Sequence, residues 1–208
     1  MATWVCIESA PHRVFASALD WPGWCRSGRS EEEALADLAA YAWRYAPVAA
    51  GADVRFSSKD AGELEVLERL AGNATTEFGA PAIAAEHEHQ PLDGKGAKRL
   101  AALVGACWQL FDNVVATAPA ELRKGPRGGG RDRDKIGHHV KEAEIMYARK
   151  LGIRLGDDLP AIRAALLATF GSPSDGQPVG EKGWLPRYGA RRIAWHVLDH
   201  AWEIEDKS

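Results

Sequence analysis

The sequence predicts an α+β fold, a small N-terminal α/β module followed by a C-terminal four-helix bundle. Two features predict it. Extended runs and turn residues fill much of the first half, whereas long helical periodicity fills the second. Between them, residues 79–96 carry Pro81, Pro91 and Gly94 and read as a loop or linker, which sets the modules at 1–80 and 97–208. A chain of 208 residues is long enough for one or two domains with a sizeable core.

Residues 3–8 and 13–19 form two extended runs, and the tight segment 9–12 with Pro11 between them predicts a hairpin. Trp21-Pro22-Gly23-Trp24 is a turn. Ser30 followed by Glu33 is a capping box that opens a helix through about Tyr45, with Pro47 and Gly51 ending it. Ala34, Leu35, Leu38, Tyr41, Ala42 and Tyr45 follow helical spacing along it. Further short strands are expected at 53–56, 64–70 and 76–78.

The second half reads as four helices. Leu100, Leu103, Val104, Cys107, Trp108, Phe111, Val114 and Val115 make the apolar stripe of the first, which ends at Pro119. A glycine-rich, mostly basic loop at 124–135 leads to the second, from about Arg133 to Leu151. Asp158 and Pro160 open the third and Gly171 closes it. The long loop 172–187 precedes the fourth, at about 188–206.

Composition narrows the functional classes. A net charge of −3 and a pI near 6.2 give no general attraction to nucleic acid or anionic membrane. No apolar stretch approaches the length of a membrane span, and no secretory signal opens the chain. Cys6, Cys25 and Cys107 are odd in number and scattered, which argues against a disulfide framework and for the cytoplasm. Neither Cys25 nor Cys107 has an evident base beside it, so a nucleophilic role is unsupported. The loop at 124–135 lacks the pattern of a phosphate-cradling loop.

Three histidines carry the chemistry. His196 and His200 lie four residues apart in RRIAWHVLDHAWEIED, and His139 lies in KIGHHVKEAEIMYARKLG. At about 100° per residue, Ile136, Val140, Ala143 and Tyr147 centre roughly 70° from His139 but roughly 170° from His138. His138 therefore faces solvent. His200 lies about 40° from His196, inside or beside the stripe of Ile193, Val197 and Ile204. Imidazoles one turn apart can share a metal ion, and a third from another helix completes a set that leaves coordination positions open. Convergence to within about 4 Å is expected of a shared metal site. The alternative is a group of hydrogen-bonded core histidines. Val197 stands where a zinc-protease helix has its glutamate, so that motif is absent. Glu142, Glu144, Asp199 and Glu203 are the carboxylates placed to orient ring nitrogens, or else a solvated helix face.

With these three histidines in this helix order, residues 97–208 resemble the DinB/YfiT-like superfamily of metal-binding four-helix bundles. The resemblance implies that His139, His196 and His200 bind a divalent metal, zinc or nickel. It also implies an enzyme that transfers a low-molecular-weight thiol such as mycothiol, bacillithiol or glutathione. The first half, with ALDWPGWCRSGRSEEEALADLAAY, resembles a HicB-like α/β module, which in antitoxins binds a partner or dimerises. A homodimer is compatible with that module, although no DNA-binding tail accompanies it.

The function expected is thus a metal-dependent thiol transferase, with a metal-dependent hydrolase or a non-enzymatic binding module as alternatives. Small-molecule partners are expected, and neither nucleic acid nor membrane. Arg127, Arg131 and Arg187 are candidates to hold a cofactor carboxylate, and Trp184 to line the pocket mouth. That pocket is expected between the loops 124–132 and 172–187.

Overall fold

Strand β1 (Thr3–Ser9) is central to a four-stranded sheet of order β3-β2-β1-β4. The computed structural model describes residues 2–57, 62–125 and 129–208. The expected hairpin forms: β1 pairs antiparallel with β2 (Val14–Ala18), Val5 opposite Ala18 and Ser9 opposite Val14. The Trp21–Trp24 turn leads directly into β3 (Cys25–Gly28), a strand the sequence pattern did not reveal. β4 (Leu64–Ala71) then returns parallel to β1, as expected for a strand reached through a helical crossover.

The crossover is two helices where one was expected. Ser30 accepts from the Glu33 amide and caps α1 (Glu31–Ala40). Tyr41 breaks the run, and α2 (Ala42–Gly51) carries Pro47 inside it rather than stopping before it. Pro47 only removes one hydrogen bond from a short helix, and neighbouring packing sustains the rest. Residues 53–56 form no strand. Phe56 instead folds back against Trp21, Trp24 and Tyr45 at ring distances of 4.9, 5.2 and 5.6 Å. Residues 76–78 are helical, not extended, because the Asn73 side chain accepts from the Thr75 and Thr76 amides and starts α3 (Ala74–Phe78).

The segment after α3 has little regular structure beyond a 3-10 turn at Glu86–His89, but it is fastened to the sheet by two strand carboxylates. Glu8 of β1, 1% exposed, accepts from the amides of Ala82 and Ile83 and from the Thr76 hydroxyl. Glu68 of β4 accepts from the amides of Glu86 and His87. Four helices follow: α4 (Gly94–Thr117), α5 (Arg133–Lys150), α6 (Leu159–Phe170) and α7 (Pro186–Lys207). By length and hydropathy alone α4 could cross a membrane, contrary to the expectation from sequence. Its Leu103, Val104, Cys107, Trp108 and Phe111 are all buried, which gives that apolarity a role in packing.

α7 is the helix on which the rest is assembled. It packs on α4, α5 and α6, and the 3-10 turn touches it too. One continuous core runs from Val5 and Ile7 of the sheet to Ile193, Val197 and Ile204 of α7. Gly23 shows how close the sheet comes: it has φ 94°, and a Cβ there would lie 2.6 Å from Leu198 Cδ1 and 3.2 Å from the Ala194 carbonyl. Arg191 is buried against Glu88 by two bonds, Nε to Oε1 at 2.7 Å and Nη2 to Oε2 at 2.9 Å.

Removing one partner of a buried pair leaves the other charge uncompensated, at a cost of about 3–5 kcal/mol. Glu88→Ala should therefore lower stability by about that amount, read as a shift of the urea midpoint. The double variant Glu88→Leu with Arg191→Met should recover most of the loss, and a Glu88→Ala midpoint equal to wild type would refute this account of the pair.

Candidate metal centre

The helical arithmetic places His139 on α5 beside Ile136, Val140 and Ala143, all buried, so the ring is carried to the seam with α7. His196 and His200 are 7% and 8% exposed, one turn apart on the facing side of α7. The three converge. One ligand atom from each lies within 4.8 Å of the others, looser than the expected 4 Å at the widest pair. The Nε2 atoms of His139 and His196 are 3.2 Å apart. Two nitrogen ligands at about 2.0–2.1 Å on a tetrahedral ion are roughly 3.3–3.4 Å apart, so this spacing is compatible with a shared divalent ion. His138 points away, with its side chain 71% exposed and paired to Glu142.

Burial disfavours protonation of His196 and His139. Burial, then the charges of His200 and Arg192, push His196 down to about 2, so its ring is neutral at any ordinary pH. Burial and His200 lower His139 as well. A neutral imidazole offers a lone pair instead of a proton, which metal binding requires. Glu203 Oε2 accepts from His200 Nδ1 at 2.7 Å, which leaves Nε2 of that ring as the free ligand atom. The hydrogen bond from His200, reinforced by Lys207, holds the Glu203 carboxyl down to about 2. His196 Nδ1, by contrast, is buried with no hydrogen-bond partner among the described residues. Three imidazoles, one oriented by a carboxylate and two with their Nε2 atoms 3.2 Å apart, fit a divalent ion.

Of the four carboxylates considered from sequence, only Glu203 reaches a ligand ring. Glu142 pairs with His138, Glu144 with Arg163, and Asp199 with Arg26. Sequence reasoning missed two aromatic neighbours. Tyr147 meets His196 edge-on at 5.7 Å, and Trp195 lies 6.0 Å from the same ring. Tyr147 was visible only as a member of the apolar stripe.

The candidate arginines separate clearly. Arg131 reaches Glu203 Oε2 at 3.8 Å and so borders the centre. Arg187 does not. Its Nη1 meets His87 Nε2 and its Nη2 donates to the Pro91 carbonyl, both at 3.3 Å, around a separate cavity of about 630 Å³. Arg127 lies outside the described residues. Trp184 packs on Tyr147 at 5.2 Å, one ring removed from His196. The best-defined cavities are lined by other residues, so the pocket expected over the histidines is not among them.

No family model matches the chain, and comparison with curated proteins and with solved structures finds no significant match.

Two outcomes follow from that geometry. Losing the carboxylate behind a ligand imidazole typically costs 10–100-fold in metal affinity. Glu203→Gln should weaken zinc binding by roughly that factor, measured by competition with a chromophoric chelator, while His138→Ala should leave it unchanged. Equal loss in both variants would overturn the assignment of Glu203. The cysteines should be inert. Burial pushes Cys6 up to about 11 and Cys25 up to about 12, and raises Cys107 further. At about pH 8, near the ordinary thiol pKa, a disulfide reagent should label none of them in the folded protein and all three in urea. Labelling of the native protein would contradict this burial.

Proposed function

We propose that this chain is a metal-dependent enzyme that uses the three-histidine centre to activate a low-molecular-weight thiol for transfer. The observation that carries the reading is the convergence of His139, His196 and His200 from two helices, with ligand atoms within 4.8 Å. The resemblance of residues 97–208 to the DinB/YfiT-like superfamily supports the same metal set and suggests the thiol. A divalent ion held there, zinc or nickel, supplies a Lewis acid that lowers the pKa of a bound thiol and makes it nucleophilic at neutral pH.

The chain's own residues do the rest. Burial keeps the His196 lone pair free of a proton, and Glu203 fixes the tautomer of His200. The half-buried His139 leaves the set in touch with solvent on the α5 side. Arg131, 3.8 Å from Glu203, adds a cation at that edge. Tyr147 and Trp195 flank His196 and limit water beside it. The reducing cytoplasm suits three free, buried cysteines.

A second reading has one specific observation in its favour. Among the described residues, the four best-defined cavities are lined by side chains other than the three histidines. That arrangement also suits a binding module in which the metal is structural and the N-terminal half, with its HicB-like pattern, makes the contacts. Hydrolysis by an activated water is the remaining chemical variant.

Cobalt-substituted protein distinguishes these readings. Titration with mycothiol, bacillithiol or glutathione should produce a sulfur-to-metal charge-transfer band, and His196→Ala should abolish it. Cobalt binding with no such band for any of the three thiols would remove the transferase reading and leave the other two.

A further inference from the structure

One side chain next to the histidines lacks the partner its burial demands. Arg192 is 7% exposed, yet it forms no ion pair and no hydrogen bond among the described residues. Its Nη1 is fully enclosed without an acceptor. Among the described residues the other arginine buried to this degree, Arg191, is matched by Glu88, with both residues 2% exposed. What surrounds the Arg192 guanidinium is aromatic. Its central carbon lies 4.6 Å from the Trp195 ring and 5.2 Å from the Tyr147 ring. These are the two rings that also flank His196. Arg192 and His196 are one turn apart on α7, which puts their Cβ atoms roughly 5–6 Å apart on one face of the helix.

Cation–π contact offsets part of the desolvation of a buried guanidinium, but it uses the faces of the group and not its N–H donors. A buried donor left without an acceptor is costly, and an unpaired buried charge more so. We propose that Arg192 binds an anionic group, a carboxylate, of the small molecule that engages the three-histidine centre. A carboxylate is the geometric match for the planar fork of a guanidinium, which holds it by charge-assisted hydrogen bonds. The inference rests on the metal-centre reading for the other end of that molecule. It specifies a compact ligand, with a metal-binding atom at one end and a carboxylate a few bonds away. It also replaces Arg187, which faces the opposite side of α7: nine residues separate Arg187 from His196, and at about 100° per residue that is half a circle.

The test uses the full-length protein and two thiols that differ in one group, 3-mercaptopropionate and 2-mercaptoethanol. With cobalt-loaded wild type, the charge-transfer band should titrate with an affinity about tenfold or more higher for the carboxylate-bearing thiol, the scale of a charge-assisted hydrogen bond. In Arg192→Met that preference should vanish while the affinity for 2-mercaptoethanol is kept. A second arm needs neither metal nor sulfur. Propionate should raise the melting temperature of metal-free wild type, relative to chloride at equal ionic strength, and should not raise that of Arg192→Met. Arg192→Met should itself fold at least as stably as wild type, because it deletes an uncompensated charge; a large loss of stability would mark Arg192 as a structural element and overturn the proposal. So would a carboxylate preference that persists in the variant, or its absence from wild type in both arms. If cobalt gives no band with either thiol but propionate still protects only wild type, the thiol reading fails and the carboxylate site stands.

Discussion

The burial of α7 is the constraint from which the rest of the molecule follows. Sixteen of its residues, from Pro186 to Ile204, are buried, and they include Arg191, Arg192, His196 and His200. A helix enclosed on nearly all sides would ordinarily be apolar all round. This one places its polar residues in different directions, and each direction is answered differently. Toward the sheet, Arg191 finds Glu88 and the Ile83 carbonyl. Toward α5, the two histidines find His139. Arg192, between aromatic rings, has neither an ion pair nor a hydrogen bond among the described residues.

The carboxylates that serve α7 are themselves prepared by the backbone. Glu88 reaches Arg191 from a single 3-10 turn, and it also accepts from the Ala85 amide, which fixes the start of that turn. The strand carboxylates Glu8 and Glu68 take the amides on either side, at Ala82, Ile83, Glu86 and His87. A segment with little regular structure of its own thus has its free N–H groups satisfied by side chains from the sheet. This meets the general demand that buried backbone polar groups be paired. It also places a buried anion where a central helix carries a buried cation.

Much of the site was legible in sequence because a helix converts spacing into direction. The same arithmetic that turns His138 outward brings His139, His196 and His200 together. Applied to Arg187 it also points that side chain away from His196. What remained illegible depends on partners distant in sequence. Nothing near Arg192 reveals that it lacks an acceptor, because Arg191, its neighbour, has a complete set. The strand β3 is only four residues long and pairs with β2 beyond a turn, so no alternation announces it. Residues 76–78 have β-prone threonine and phenylalanine, but Asn73 caps them into a helix, and the local hydrogen bonds override propensity.

Gly23 joins these observations. With no side chain, the turn between β2 and β3 rests on α7 against Ala194 and Leu198; these two residues bracket His196, and Leu198 precedes His200 by two positions. The sheet therefore acts as a fixed stop against which the helix is registered. Any residue larger than glycine at that stop would push on the stretch of α7 that carries two of the three imidazoles. The two halves of the chain are in this sense one instrument: an N-terminal module borrowed from elsewhere, however well folded, would have to reproduce this one bare turn before the histidines could keep their spacing.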